Sequence, residues 1–237
     1  MQGGINDNRP PQGVYEEICV NEFNEASAAD FRKKVLFRAE MDPDAPIVVY
    51  IDSYGGYVDS LAKMIETMHE VPNKFITVAM GKAISCGAIL LSHGDVRYCG
   101  GYSRIMIHNV SAASWGDVYS LKSSSDQTMA MNKRFMGLLA NNCKMTYTEL
   151  QKKIKETEDS REIWLNAEAA KKFGIVDEIG IPQLTPRIGW EVQTILPRPL
   201  NELEPKKKAT TKKKSAKKTT GFRKIPKKKT TKKKKRS

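Results

Sequence analysis

Residues 46–87 read PIVVYIDSYGGYVDSLAKMIETMHEVPNKFITVAMGKAISCG, and they contain one structural unit stated twice. Ile47-Val48-Val49-Tyr50-Ile51 is a β-branched apolar run between Pro46 and Ser53-Tyr54-Gly55-Gly56. A run that is apolar at every position predicts a strand covered on both faces. After the glycine pair, Val58, Leu61, Ile65 and Met68 recur at helical spacing, predicting an amphipathic helix to about Val71, where Pro72-Asn73 stops it. Phe75-Ile76-Thr77-Val78-Ala79 then predicts a second strand. Gly81 turns the chain, and Cys86 to Ser92 follows as a short helix. Strand, small-residue turn and helix, repeated, predict an α/β layered domain.

The pattern extends outward in the C-terminal direction. Arg104 to His108 (RIMIH) predicts a third strand, and 116–143 a long helix with Val118, Leu121, Met129, Leu138 and Leu139 among its apolar positions. Thr146-x-x-Glu149 has capping-box form, because the Thr hydroxyl can accept from an orphan amide while the Glu reaches back. Ala167 to Phe173 predicts a short helix ended by Gly174, where a left-handed residue is wanted. Ile175-Val176 is expected to start a last strand.

Charge divides the chain. From Pro205 to Ser237 there are 18 Lys or Arg and no Asp or Glu; outside that segment, 22 basic residues face 27 acidic ones, a net of −5 within an overall +13. The expected organisation is a disordered leader over 1–13, a folded domain over 14–199 and a disordered Lys-rich tail over 200–237, whose self-repulsion and low apolar content leave nothing to offset ordering entropy. Such a tail suits sequence-blind, salt-dependent binding of nucleic acid through residues 205–237, or simple solvation. No apolar run reaches 18 residues, so no membrane span is expected. Cys19, Cys86, Cys99 and Cys143 form neither a CxxC pair nor a metal spacing, so the reading includes no metal, no cofactor and a reducing compartment. The expected location is cytoplasmic, which for a viral chain means the host cytoplasm.

The chemistry centres on two strand-to-helix turns, Ser53-Tyr54-Gly55-Gly56 and Gly81-Lys82-Ala83-Ile84-Ser85-Cys86-Gly87. In a parallel layer such turns lie side by side at one edge, where sites form. A serine at a tight turn of this kind presents its hydroxyl beside the free amides of a helix start, which suit the negative charge of a tetrahedral intermediate. The serine needs a base, and the chain has three histidines, His69, His93 and His108. His69 lies late in an amphipathic helix, as a surface or packing residue; His93 follows a helix end, as a capping or solvent residue; His108 closes a strand at the sheet edge. Taken alone, a histidine at a strand end is more often structural than catalytic.

The same segments, in the same order, resemble the Clp protease proteolytic-subunit (ClpP) family of serine peptidases. Gly81-x-Ala83-x-Ser85-x-Gly87 is similar to its nucleophile segment, Tyr50 to Gly56 to its strand and Ser-Pro-Gly-Gly loop, and Ser103 to His108 to its Ser-Arg-x-Met-Ile-His segment. Trp164 to Ala170 with Phe173 to Ile179 is similar to its stretch ending in Gly-Leu-Val-Asp. The resemblance covers about 44–180 well, 14–43 loosely and the tail not at all. It implies a ClpP/crotonase-like fold, with repeated βα or ββα units forming a layered sheet core beside a long handle helix. It also implies a serine endopeptidase acting on extended polypeptides, with Ser85 as nucleophile, His108 as base and the amides of Gly56 and Cys86 as oxyanion donors. For the third member it implies Glu162, or Asp159 if the slightly longer segment 155–163 bulges. Partners implied are a homo-oligomeric ring and an ATP-dependent unfoldase.

Three departures stand out: Tyr54 where the family has proline, Cys86 where it has methionine, and a segment before Tyr15 unlike the family's axial loop. Two other readings compete. One is a Ser–Lys peptidase of the signal-peptide-peptidase A type, against which His108 argues. The other is a non-catalytic scaffold or DNA-tethering protein on a peptidase fold.

Overall fold

β-branched and apolar residues build a mostly parallel sheet whose strands are joined by helices, the arrangement that repeated strand–turn–helix units require. The computed structural model describes residues 17–157, 161–187 and 189–195, with side chains through 184. The leader, the tail and Asp159 lie outside the described residues. The described residues all fall in one compact unit. Among them no helix is long and apolar enough to cross a membrane.

The elements run β1 (Ile18–Val20), α1 (Glu25–Met41), β2 (Ile47–Ser53), α2 (Val58–Glu70), β3 (Phe75–Ile84), α3 (Cys86–Ser92), β4 (Val96–Cys99), β5 (Arg104–His108), α4 (Val118–Asn142), α5 (Tyr147–Glu156), β6 (Glu162–Leu165), α6 (Ala167–Phe173), β7 (Glu178–Ile179) and a hairpin of β8 (Ile181–Arg187) with β9 (Gly189–Ile195). Parallel strands order as β1-β2-β3-β4-β7, with β5 added to β3 and β6 antiparallel to β5. The α/β expectation therefore holds, as do the short helix at Cys86–Ser92, the Thr146–Glu149 capping box and the left-handed Gly174 (φ 87°).

Four details differ from the sequence reading. Gly81 does not turn the chain back; it kinks β3 at φ 98°. Before the kink, Ile76–Ala79 pairs with β4, and after it Lys82–Ile84 pairs with β5. Buried Ser103 spans the bend, accepting from the Gly81 amide at 2.9 Å and donating to the Ala79 carbonyl at 3.0 Å. Second, Ile175 and Val176 are core residues ahead of the last sheet strand, which forms at Glu178–Ile179.

Third, β2 is not equally covered on its two faces. Ile47, Val49 and Ile51 enter the main core with the helices, whereas Val48 and Tyr50 are only half-buried, under a thinner layer that includes Ile181 and Leu184. Fourth, α1 carries an unread helix. Asn24 caps it reciprocally with Ser27, and Ala28, Phe31 and Val35 face the core, while exposed Phe37 and Met41 blur the helical stripe.

Candidate active site

Beyond the kink in β3 the chain must pass from strand to helix within one residue, and that residue is Ser85. Its backbone is at φ 57°, ψ −117°, a region that a side chain-bearing residue occupies only when its surroundings impose it. The surroundings are on view. The Ser85 amide donates to the Met106 carbonyl of β5 at 2.9 Å, and the Ser85 carbonyl accepts from Ala88 and Ile89 at 3.0 and 3.3 Å. Strand and helix thus hold the residue from both sides and push its hydroxyl outward.

The neighbouring turn packs directly on it. A β-carbon at Gly55 would lie 2.8 Å from that of Ser85 and 3.0 Å from the Ile84 carbonyl, and the φ of Gly55 is 100°. Only glycine fits there. At Gly56 (φ 149°) a β-carbon would come within 2.4 Å of the Phe23 carbonyl. The adjoining bond from the Tyr57 amide to Phe23, 2.8 Å, belongs to the next residue and does not use the Gly56 N–H. The Cys86 N–H is the first of α3 and so has no intrahelical acceptor. The Cys86 thiol donates to the Gly56 carbonyl at 3.3 Å, tying the two turns together; burial pushes that thiol up to about 11, which leaves it protonated and unsuited to attack.

His108 ends β5 beside Ser85, with its Nε2 2.7 Å from the serine oxygen. Burial lowers its imidazole below the ordinary histidine value, while the charge of Glu162 works the other way. Glu162 stands directly opposite His108 in the antiparallel pair of β5 and β6. The structure therefore brings Ser85, His108, Glu162 and the two turns to one edge. His69 and His93 stay apart from it, their Nε2 atoms 2.9 Å from each other at the α2–α3 junction. Lys82, the nearest lysine in sequence to Ser85, is engaged elsewhere: its Nζ lies 2.6 Å from Asp52 and over the ring of Tyr54.

Residues that sequence reasoning passed over complete the setting. After His108 the chain is pinned by Gln151 donating to the Asn109 side chain (2.7 Å) and by Asn132 accepting from the Val110 amide (2.9 Å). Polar residues scattered over helices carry no spacing signal, so only the fold could find them. Among the described residues no group of three or more His, Cys, Asp or Glu side chains is arranged to hold a metal ion.

Known proteins are similar to this chain in sequence. The family model described as Clp protease matches residues 16–183. The chain is also 33% identical over 183 residues to the ATP-dependent Clp protease proteolytic subunit 3 of Rhodococcus jostii (strain RHA1), covering 73% of this chain and 87% of that protein.

Proposed function

The chain belongs to the Clp protease family, and on that premise we propose that its proteolytic role is that of a serine endopeptidase with Ser85, His108 and Glu162 as its triad. The observation that carries the reading is the 2.7 Å approach of His108 Nε2 to Ser85 Oγ at a strained strand-to-helix junction. His108, kept neutral by burial, takes the Ser85 proton as the serine oxygen attacks the scissile carbonyl. The carbonyl oxygen gains negative charge and is received by the N–H groups of Gly56 and Cys86. Protonated His108 then gives its proton to the leaving amine, leaving an acyl-serine. A water molecule, deprotonated by the same imidazole, hydrolyses that ester and restores Ser85. Glu162 holds the imidazole in the required tautomer and stabilises it when charged.

The substrate fitting this edge is an extended polypeptide, laid as a strand beside the Gly55–Gly56 turn. Consistent with the family, the partners proposed are further copies of the chain in a ring and an ATP-driven unfoldase. Nucleic-acid binding by residues 205–237 rests on charge alone. Gel shifts at two salt concentrations, with and without that segment, test it, and equal binding by both proteins contradicts it.

The Ser–Lys alternative requires a free lysine amine at the serine, and Lys82 is committed to Asp52. The direct test is hydrolysis of a fluorogenic peptide by Ser85→Ala protein. The expected result is a loss on the order of a millionfold with the circular-dichroism spectrum unchanged; hydrolysis surviving in the purified variant refutes the assignment.

A further inference from the structure

Glutamate is a long lever for an orienting carboxylate, with one more rotatable bond than aspartate, and its hold on an imidazole depends on what stops it swinging. In this chain a neighbour is placed to stop it. Trp164 lies two residues after Glu162 on β6, so both side chains leave the same face of the strand. The Trp164 indole N–H donates to Glu162 Oε2 at 2.9 Å. Trp164 stands opposite Met106 as Glu162 stands opposite His108, and the Arg104 guanidinium of β5 lies 5.8 Å from the centre of its ring. The ring is thus braced across the strand pair although 50% of the residue is exposed.

Two features of this chemistry matter. A carboxylate has two oxygens, so one N–H can fix its plane and leave the second oxygen for the imidazole. The indole nitrogen is a donor only, so it can hold the carboxylate without exchanging a proton with it. We propose that Trp164 is a positioning residue for catalysis, acting through Glu162 by clamping its carboxylate toward His108. This rests on the triad reading above.

The test uses the full chain in a peptide-hydrolysis assay across pH, comparing Trp164→Phe, Glu162→Gln and the double variant. Phenylalanine keeps a ring under Arg104 and removes only the N–H. Trp164→Phe is expected to lower kcat about tenfold, the scale of one hydrogen bond to a charged group, with KM unchanged. Its acid limb should move to lower pH, because a carboxylate held less firmly near His108 supports the charged imidazole less. In the Glu162→Gln background the same substitution should have no further effect. A Trp164→Phe protein with unchanged kcat and pH profile, beside a Glu162→Gln protein that has lost activity, overturns the clamp and leaves the triad standing. Full activity in Glu162→Gln removes the triad reading and the clamp with it.

A second readout does not depend on activity. With three tryptophans in the chain, the ¹⁵N-indole spectrum of Glu162→Gln should show one N–H resonance displaced from its wild-type position. That resonance is the one missing from Trp164→Phe. A spectrum with all three unmoved overturns the proposal.

Discussion

Arg97 and Ser85 lie on neighbouring parts of one sheet and are treated in opposite ways. Arg97, on β4 and 9% exposed, is satisfied at nearly every donor. It bonds Asp177 through Nε at 2.9 Å and Nη2 at 2.6 Å, and through Nη1 it reaches the carbonyls of Asn142 (2.9 Å) and Gly174 (3.1 Å). One side chain thereby closes the C-terminal ends of α4 and α6 against the sheet. Burial pushes the Asp177 carboxyl up, but the hydrogen bonds and charge of Arg97 outweigh it and hold it below its ordinary value. Around Ser85 the surroundings instead hold groups away from their preferred states. The serine backbone is strained, two glycines sit at positive φ, and the histidine is driven toward its neutral form. The first region spends its interactions on holding elements together; the second, on the function proposed above, spends them on keeping a hydroxyl, an imidazole and two amides ready to react.

If that contrast is right, substitutions should separate rate from stability. Below the loss already expected for Ser85→Ala, the largest effect is on rate, at Glu162. Glu162→Gln should lower kcat by about a thousandfold to ten thousandfold with the thermal midpoint nearly unchanged. The pH dependence carries a sign that can be worked out. Burial lowers His108 below its ordinary 6.5, so the wild-type acid limb of kcat/KM should lie below that value. Glu162 raises His108, so removing its charge should move the limb lower still. A limb that moves upward in Glu162→Gln contradicts this placement of the charge.

Arg97→Leu should show the converse. It strips two carbonyls of their donor and leaves Asp177 without its cation, which costs about 3 kcal/mol of stability, near the lower end for a buried pair because the carboxylate is partly exposed and can rehydrate. Specific activity of the folded fraction should stay within a factor of about two, since no Arg97 contact reaches the reacting groups. Denaturation midpoints combined with active-site titration measure both quantities. The smallest effect tests the strain itself. Both Ser85→Gly and Ser85→Ala remove the hydroxyl, but only glycine accepts φ 57° freely, so the glycine variant should be the more stable by about 1 kcal/mol after its greater chain entropy is offset. Equal stability would mean that the backbone at residue 85 is unstrained.

Much of this site was legible before the fold was known, for a physical reason. The turns at Gly55–Gly56 and Ser85 need small residues at fixed places, and strands such as 47–51 and 104–108 carry dense β-branched signals, so their type and order survive in one sequence. What was lost lacked such a signal. β4 contains Arg97, a charged residue that reads as a loop until its partner Asp177, distant in sequence, is brought to it. β6, at Glu162–Leu165, is too short to show alternation, so the strand pairing with β5 that sets Glu162 opposite His108 is visible only in the register, although the family resemblance had already pointed to Glu162. The roles of Cys86 and Trp164 depend on single hydrogen bonds, to a carbonyl 30 residues away and to a carboxylate two residues away, which no spacing rule announces. Gly81 predicts a turn from sequence because a glycine between two apolar runs looks the same whether the chain reverses or a strand kinks.

The account stands on Ser85 being the one serine activated by its surroundings, and a fluorophosphonate probe reads that activation without knowledge of the natural substrate. Intact-mass measurement of the full chain should give a single adduct, mapped by peptide sequencing to Ser85 and lost in His108→Ala. No adduct at neutral pH, or one carried by another residue, would contradict it.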